Sequence, residues 1–430
     1  MIQKILKHPL LRSSLIYVIT DSINKAVPFF ILPVLSHYLL PGDYGIVADF
    51  GVLSGIIAIL ISLNIDGAIA VNYHKLDKTC ISRYVFNAFL VCFASFCILF
   101  FLSFFLKDWI FSLLHIPFEY QLLCIFMCFM SLFTTTNLVL WRLEERPWAF
   151  GIYEITNTVL NLGLSIVLVV ILKQNWVGRV NAMLITTIGY GLFSFLLIIK
   201  RKYIQFKVDK AFLKDILFFG IPLIPHSLSF WVRSGVDRIF ITKFWGIDQV
   251  GLYATGFVFG AFVSFLIGAF NNAYSPFLFR TLSNTDENQL KESKKKMVKM
   301  TYGIMVCLVL CGIFFIILSN IILKYWFSKE YVGASSYIYW AIASQVFQSF
   351  YILFVNYIFF AKKTGQLATI TFSASVIHVI LSYIMVKNIG PIGAAYSNTI
   401  VAFLTFITVM IYSMKAYEMP WFKSIKQTKA

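Results

Sequence analysis

The residues able to do chemistry here are ionisable groups set inside long apolar stretches. One stretch carries Asp21, Asn24 and Lys25, with Pro28 and Pro33 just after them. A second, over 214–244, carries Pro222, Pro225, His226, Arg233, Asp237, Arg238 and Lys243. Charge at membrane depth is costly and faces a partner or a cavity. Asp21–Lys25 and Arg233–Asp237 are spaced i,i+4, so each pair can neutralise itself on one helix face. Such pairs still prefer water or protein to lipid, so a position on a cleft stays open for both. Arg238 has no acidic residue four positions away. It is the best candidate for gripping an anionic group, because a guanidinium binds phosphate oxygens bidentately. Lys25 and Arg233 complete the candidate cationic set.

Four further polar sites sit in apolar segments. Asp49 and Asp66 lie near opposite ends of one stretch, where each is either a solvated cap or a buried carboxylate. Glu154 follows Arg146 by two helical turns and is either its structural partner or an ion-coupling carboxylate. His378 is mid-stretch, where titration near neutrality suits a proton relay and a satisfied core position is the plainer alternative. Asn157, Asn161, Asn271, Asn272, Gln345 and Gln348 offer hydrogen bonds to a neighbouring helix or to sugar hydroxyls. No P-loop, HExxH or GxSxG motif occurs, so neither ATP hydrolysis nor an enzyme reaction is expected, and no cofactor. The 7 Cys have no metal-ligand spacing with His, and an odd count argues against a disulfide framework, so no metal site is expected either.

These groups must be held by membrane-spanning helices. Of 430 residues, 59% are hydrophobic and only 13% charged, against roughly 25% charged in soluble domains. Mean hydropathy is +0.81. A soluble enzyme and a disordered chain are both excluded. Twelve apolar runs reach spanning length: 13–39, 45–72, 84–106, 120–140, 149–172, 180–199, 214–244, 250–275, 300–323, 335–360, 367–386 and 392–413. The net charge of +17 sits in short clusters between them, which is topology rather than nucleic-acid binding. With the N-terminus inside, inner segments carry 26 Lys+Arg and outer ones 6. That bias predicts both termini in the cytoplasm. No outer loop exceeds about fifteen residues, so no extramembrane domain is expected.

An internal repeat organises the spans. Pro-Gly-Asp-Tyr-Gly-Ile-Val-Ala (41–48) matches Gly-Ile-Asp-Gln-Val-Gly-Leu-Tyr-Ala (246–254) with Gly45 against Gly251, an offset of 206. Trp-Val-Gly-Arg (176–179) matches Pro-Ile-Gly-Ala (391–394) at 215. Six spans per repeat is even, so both halves enter from one side as parallel repeats. The expected fold is an all-α polytopic membrane protein. It has twelve transmembrane helices in two six-helix lobes, 1–205 and 206–430, around a central cleft. Proline-interrupted spans at corresponding places, here the first and seventh, point to a transport path.

Ile-Pro-Leu-Ile-Pro-His-Ser-Leu-Ser-Phe-Trp-Val-Arg-Ser-Gly-Val-Asp-Arg (221–238), then Val-Gly-Leu-Tyr-Ala (250–254), resembles the seventh span of bacterial polysaccharide-biosynthesis flippases. These are the O-antigen, Wzx-type members of the multidrug/oligosaccharidyl-lipid/polysaccharide exporter superfamily. Gly-Asp-Tyr-Gly (42–45) and Gly-Pro-Ile-Gly-Ala-Ala (390–395) are similar to the family's outer turns. The resemblance implies a flippase for undecaprenyl-pyrophosphate-linked oligosaccharide, feeding O-antigen (lipopolysaccharide) or another surface polysaccharide. It implies a monomer in the bacterial inner membrane, surrounded by membrane lipids, with a polysaccharide polymerase and a chain-length regulator as candidate partners. It also implies a cationic cavity, for which Lys25, Arg233 and Arg238 stand at suitable positions. The alternative is a drug or cation antiporter of the same superfamily, whose cavity would be acidic.

Overall fold

The computed structural model describes Ile16, Thr20, Ile23, Asn24 and residues 29–283 and 286–421. No strand occurs among the described residues. That is what hydrocarbon demands, since a helix satisfies its own backbone polar groups. Eleven helical segments among the described residues are long and apolar enough to cross a membrane. They correspond to the second to twelfth expected spans; the first, 13–39, lies only partly within the described residues.

The chain forms two compact units, Met1–Gly251 and Leu252–Ala430. The first holds α1 (Pro41–Ser62), α2 (Ile65–Tyr73), α3 (Lys78–Leu114), α4 (Phe118–Leu143), α5 (Pro147–Ser165) and α6 (Asn175–Lys200). A π-helical turn, Ile166–Ile171, extends α5. Then come α7 (Lys210–Gly220), a 3-10 turn (Ile221–Leu223) and α8 (Ile224–Trp245). A division by span number, at 205/206, follows the repeat. Contacts instead group the seventh span with the first unit, because α8 lies on α1 and α3. Its core is closely packed around Ile61, Ile65, Ile69, Val85, Cys92 and Cys124, all fully buried. All seven cysteines are free thiols.

Local chemistry sets the helix ends. Asp77 accepts the Cys80 amide at 2.6 Å and Asp209 the Ala211 amide at 2.9 Å, each an N-cap. Pro41 and Pro147 occupy first-turn positions where no amide is needed. The second expected span is broken where Leu63 and Asn64 adopt φ of 45° and 54°. The seventh is broken at Gly220 and the 3-10 turn containing Pro222. These two breaks meet. A Cβ on Gly220 would stand 2.2 Å from the Leu63 carbonyl oxygen, so only glycine permits the approach. Ser227 on α8 then donates to Asn64 Oδ1 at 3.0 Å.

The segment 201–209 joins the two repeats and runs along the start of α3. The Ser82 hydroxyl donates to the Lys202 carbonyl at 2.7 Å, and Arg83 Nε to Gln205 Oε1 at 2.8 Å. Asn87 donates to the Lys207 carbonyl and accepts the Asp209 amide, both at 2.9 Å. Tyr203 is buried here, donating to Glu144 at 2.5 Å.

The second unit holds the rest of α9 (Ile247–Leu282), then α10 (Glu287–Trp326), α11 (Ser335–Phe360), α12 (Thr364–Ile389) and α13 (Ile392–Ala416). A 3-10 turn, Lys329–Ala334, precedes α11. α13 lies between α11 and α12, and α10 packs on α11. Small residues let backbones approach: a Cβ on Gly260 would meet the Ala341 carbonyl oxygen at 2.9 Å.

Candidate functional site

The first unit concentrates polar side chains at the α1 start, the second half of α8, the α5 end and the α6 start. Asp49 on α1 is fully buried, and its Oδ2 accepts the Thr242 hydroxyl of α8 at 2.7 Å. Its Oδ1 has no hydrogen-bond partner among the described residues. The choice left open by the sequence thus resolves to a buried carboxyl, not a solvated cap. Trp231 of α8 donates to the Val52 carbonyl at 2.9 Å, fixing the α8 face that meets α1.

Arg238 lies one turn before Thr242. Its Nη1 reaches only the Ala48 carbonyl, at a long 3.4 Å, and its Nε is buried without a hydrogen-bond partner among the described residues. Arg179, near the start of α6, donates from Nη1 to Asn161 Oδ1 and to Ser165 Oγ, each at 2.7 Å. Both acceptors are neutral. Neither arginine forms an ion pair among the described residues. The Tyr44 hydroxyl stands within electrostatic reach of both guanidinium groups. Two guanidinium groups with neutral hydrogen-bond partners and spare donors, Arg238 with the Asp49 carboxyl also within electrostatic reach, can accept a doubly charged anion.

The expected site residues fall in several places. Arg233, Asp237 and Arg238 share α8, with Asp237 buried and Arg233 half-buried. Lys25 and Asp21 lie outside the described residues. Asp66 opens α2, where a carboxylate suits the helix N-terminus, and accepts from Thr136 of α4 at 3.1 Å. Arg146 turns to Glu144, at 3.3 Å, while Glu154 accepts from Asn24 Nδ2 at 2.6 Å. Thr158 donates to Asn24 Oδ1 at 2.8 Å, tying the neighbourhood of the first expected span to α5. His378 is buried on α12, in the second unit. Asn271 accepts from Asn356 at 2.7 Å, which is inter-helix bonding within that unit.

Arg179 is the residue that sequence reasoning missed. By spacing it belonged to an outer turn and counted only towards topology. The signal was the polar pair Asn161 and Ser165 on the preceding span, whose four-residue spacing makes one acceptor face.

At the opposite end of this unit, Glu144 is held by Arg201 at 2.7 Å and by the Tyr203 hydroxyl. Burial pushes the Glu144 carboxyl up, but the bonds from Arg201 and Tyr203, with the charges of Arg201 and Arg146, outweigh it and lower the pKa. Burial and then the Glu144 carboxylate push the Tyr203 phenol up. This cluster pins the 201–209 segment.

Comparison with known proteins gives the family. The family described as "Polysaccharide biosynthesis protein" matches residues 10–282, well over half of the chain. The MatE family matches 222–384. A protein of the Lsg locus of Haemophilus influenzae is 27% identical over 410 residues, covering 92% of this chain and 97% of that protein. The capsular polysaccharide biosynthesis protein CapF of Staphylococcus aureus is 25% identical over 302 residues, covering 64% of this chain and 72% of CapF. Among solved structures, an inward-facing multidrug-resistance MATE transporter of the MOP superfamily aligns with TM-score 0.75 at 17% identity. That alignment covers 96% of this chain and 100% of the transporter. A MOP superfamily transporter from Pyrococcus furiosus, described as having a binding pocket of reverse polarity, aligns with TM-score 0.62 at 16% identity, covering 95% and 96%. The structural likenesses carry the fold; the sequence matches carry the lineage. On both grounds the chain is a multi-pass membrane transporter that belongs to the polysaccharide-biosynthesis family of the multidrug/oligosaccharidyl-lipid/polysaccharide exporter superfamily.

Proposed function

We propose that the chain is a flippase for undecaprenyl-pyrophosphate-linked oligosaccharide. It carries repeat units from the cytoplasmic to the outer leaflet of the bacterial inner membrane, with both termini cytoplasmic. The units supply O-antigen or another surface polysaccharide. The observation that carries this reading is the pair Arg179 and Arg238, two guanidinium groups beside Tyr44 with only neutral acceptors. A pyrophosphate is the natural counter-charge for such a pair. Arg233 and, from the sequence, Lys25 extend the same positive set. The repeats 1–205 and 206–430 are the two bodies that rock in alternating access. Asp21, Asp66, Glu154, Asp237 and His378 are assigned to structural pairing or ion coupling.

The MatE match over 222–384 favours a second reading, a drug or cation antiporter. Such a carrier requires an acidic site, whereas here the two guanidinium groups outnumber the one buried carboxyl, Asp49, within reach of Arg238. The deciding experiment uses a strain lacking this chain. Loss of surface glycan, with lipid-linked repeat units accumulating in the cytoplasmic leaflet, is the expected result. Unchanged glycan with raised sensitivity to cationic drugs would select the antiporter.

A further inference from the structure

A cavity of about 990 Å³ in the first unit lies away from the arginine pair. It is an apolar groove between α5 and α6, with Trp141 of α4 in its lining. Tyr153 and Tyr190 form its back wall, while Ile152, Val159 and Phe193 are exposed along its rims. Gly163 and Gly189 lie in its floor, and a Cβ on either would meet nothing within 4 Å. The recess therefore does not exist to let helices touch. Beside the groove the two helices are joined by the Asn161–Thr186 hydrogen bond at 2.8 Å, while the groove itself is lined almost entirely by apolar side chains.

The end of the groove beside Trp141 is basic. The turn joining α4 to α5 exposes Arg142 and Arg146, and the neighbouring end of α6 exposes Lys200. The Arg142 guanidinium lies over the Phe150 ring at 5.3 Å, which holds it near the turn, with Asp66 also within electrostatic reach. Of the two acidic residues there, Glu144 is held by Arg201 at 2.7 Å and by Arg146 at 3.3 Å, and Glu145 is the exposed carboxylate of the turn. Arg142, Arg146, Lys200 and Arg201 thus stand against Glu144 and Glu145 near this end of the groove, an excess of two positive charges.

We infer that this groove is a binding site for an anionic phospholipid. Its acyl chain lies along α5 and α6, and its phosphate sits among Arg142, Arg146 and Lys200. A zwitterionic lipid fits the slot equally well but gains nothing from the excess positive charge. An annular lipid without specific contacts would not distinguish the two headgroups. The assignment is independent of the transported substrate.

The test is native mass spectrometry of the delipidated full chain, titrated with phosphatidylglycerol or with phosphatidylcholine of the same acyl length. The expected result is a preference for phosphatidylglycerol of at least about tenfold, within what an excess of two interfacial positive charges confers. Arg142→Gln with Arg146→Gln should remove most of that preference and leave phosphatidylcholine binding unchanged. Gly163→Leu with Gly189→Leu should displace both lipids by filling the slot. If the leucine variant does not fold, a photoreactive phosphatidylglycerol on the unaltered chain replaces it, with cross-links expected at 141–163 and 185–197. Equal binding of the two lipids, or a preference that survives the glutamine variant, overturns the inference. So do cross-links confined to other helices. Undecaprenyl phosphate displacing phosphatidylglycerol at equal concentration would also overturn it, by giving the groove to a polyprenyl tail.

Discussion

Gly45 and Gly251 each face the other's turn at backbone distance. A Cβ on Gly45 would stand 2.2 Å from the Ile247 carbonyl oxygen, and one on Gly251 would stand 1.7 Å from that of Pro41. The offset of 206 that pairs the two glycines also pairs Pro41 with Ile247. The contact is therefore self-complementary, each repeat offering the same glycine to the same carbonyl of the other. Isologous contacts between subunits have this form; here it occurs within one chain.

Replacing either glycine drives a methyl group into backbone that cannot give way. Gly45→Ala and Gly251→Ala should each lower thermal stability in detergent by the cost of overpacking, about 1–3 kcal/mol. Gly51, where an added methyl group would meet nothing within 4 Å, is the control. Gly51→Ala should be neutral or stabilising by about 0.5–1 kcal/mol, since alanine favours helix. Equal melting of all three variants would refute the contact.

The arginine pair makes a prediction about activity. Arg179→Gln and Arg238→Gln should each reduce surface glycan about 10- to 100-fold in a complemented deletion strain, the worth of a charge-assisted hydrogen bond of about 1.5–3 kcal/mol. Protein in the membrane, measured by immunoblot, should not change. Lys299, exposed on α10, is the matched control, and Lys299→Gln should leave glycan intact. Full glycan in both arginine variants would remove the pair from the transport path.

Asp49 depends on a single hydroxyl. Thr242→Val keeps the shape of the side chain and removes the donor, leaving a buried carboxyl without a hydrogen-bond partner among the described residues. The cost should be about 1–3 kcal/mol, read as a lower melting temperature. Thr242→Ser should restore most of it. A valine variant as stable as the parent would show that water or another group serves Asp49.

Glu144 makes stability pH-dependent. Its pKa in the folded chain is lowered, so its contribution is complete above the ordinary glutamate value of about 4.3 and is lost as pH falls through the folded value. The melting temperature of the unaltered chain should therefore drop as the pH is taken from about 5 to about 3. Glu144→Gln should start lower at neutral pH and show a shallower drop. Parallel curves for the two would place the acid sensitivity elsewhere.

Much of this was legible in the residues. Apolar runs separated by short basic turns gave the spans, because a bilayer admits only helices of that length. The Gly45–Gly251 match was visible because close backbone approach tolerates no side chain. Arg238 stood out because it lacked a local counter-charge. Arg179 did not, since a cation beside a turn reads as topology until Asn161 and Ser165 are seen to fold against it. The Asp49–Thr242 bond was illegible for a different reason. It joins residues 193 apart, and nothing in local spacing reports so distant a pairing. The α5–α6 groove was illegible too, because Gly163 and Gly189 look like the small residues that usually bring helices together.

The meeting of Leu63 with Gly220 bears on tempo. Two spans are interrupted at one level, so neither has a continuous hydrogen-bond ladder to break there. Bending at that level disturbs side-chain contacts, chiefly the Ser227–Asn64 bond, and spares the helical backbone on either side. Motion of that kind belongs to the microsecond-to-millisecond range of hinges, not to the slower range of local unfolding. A chain jointed in this way can flex many times without once melting.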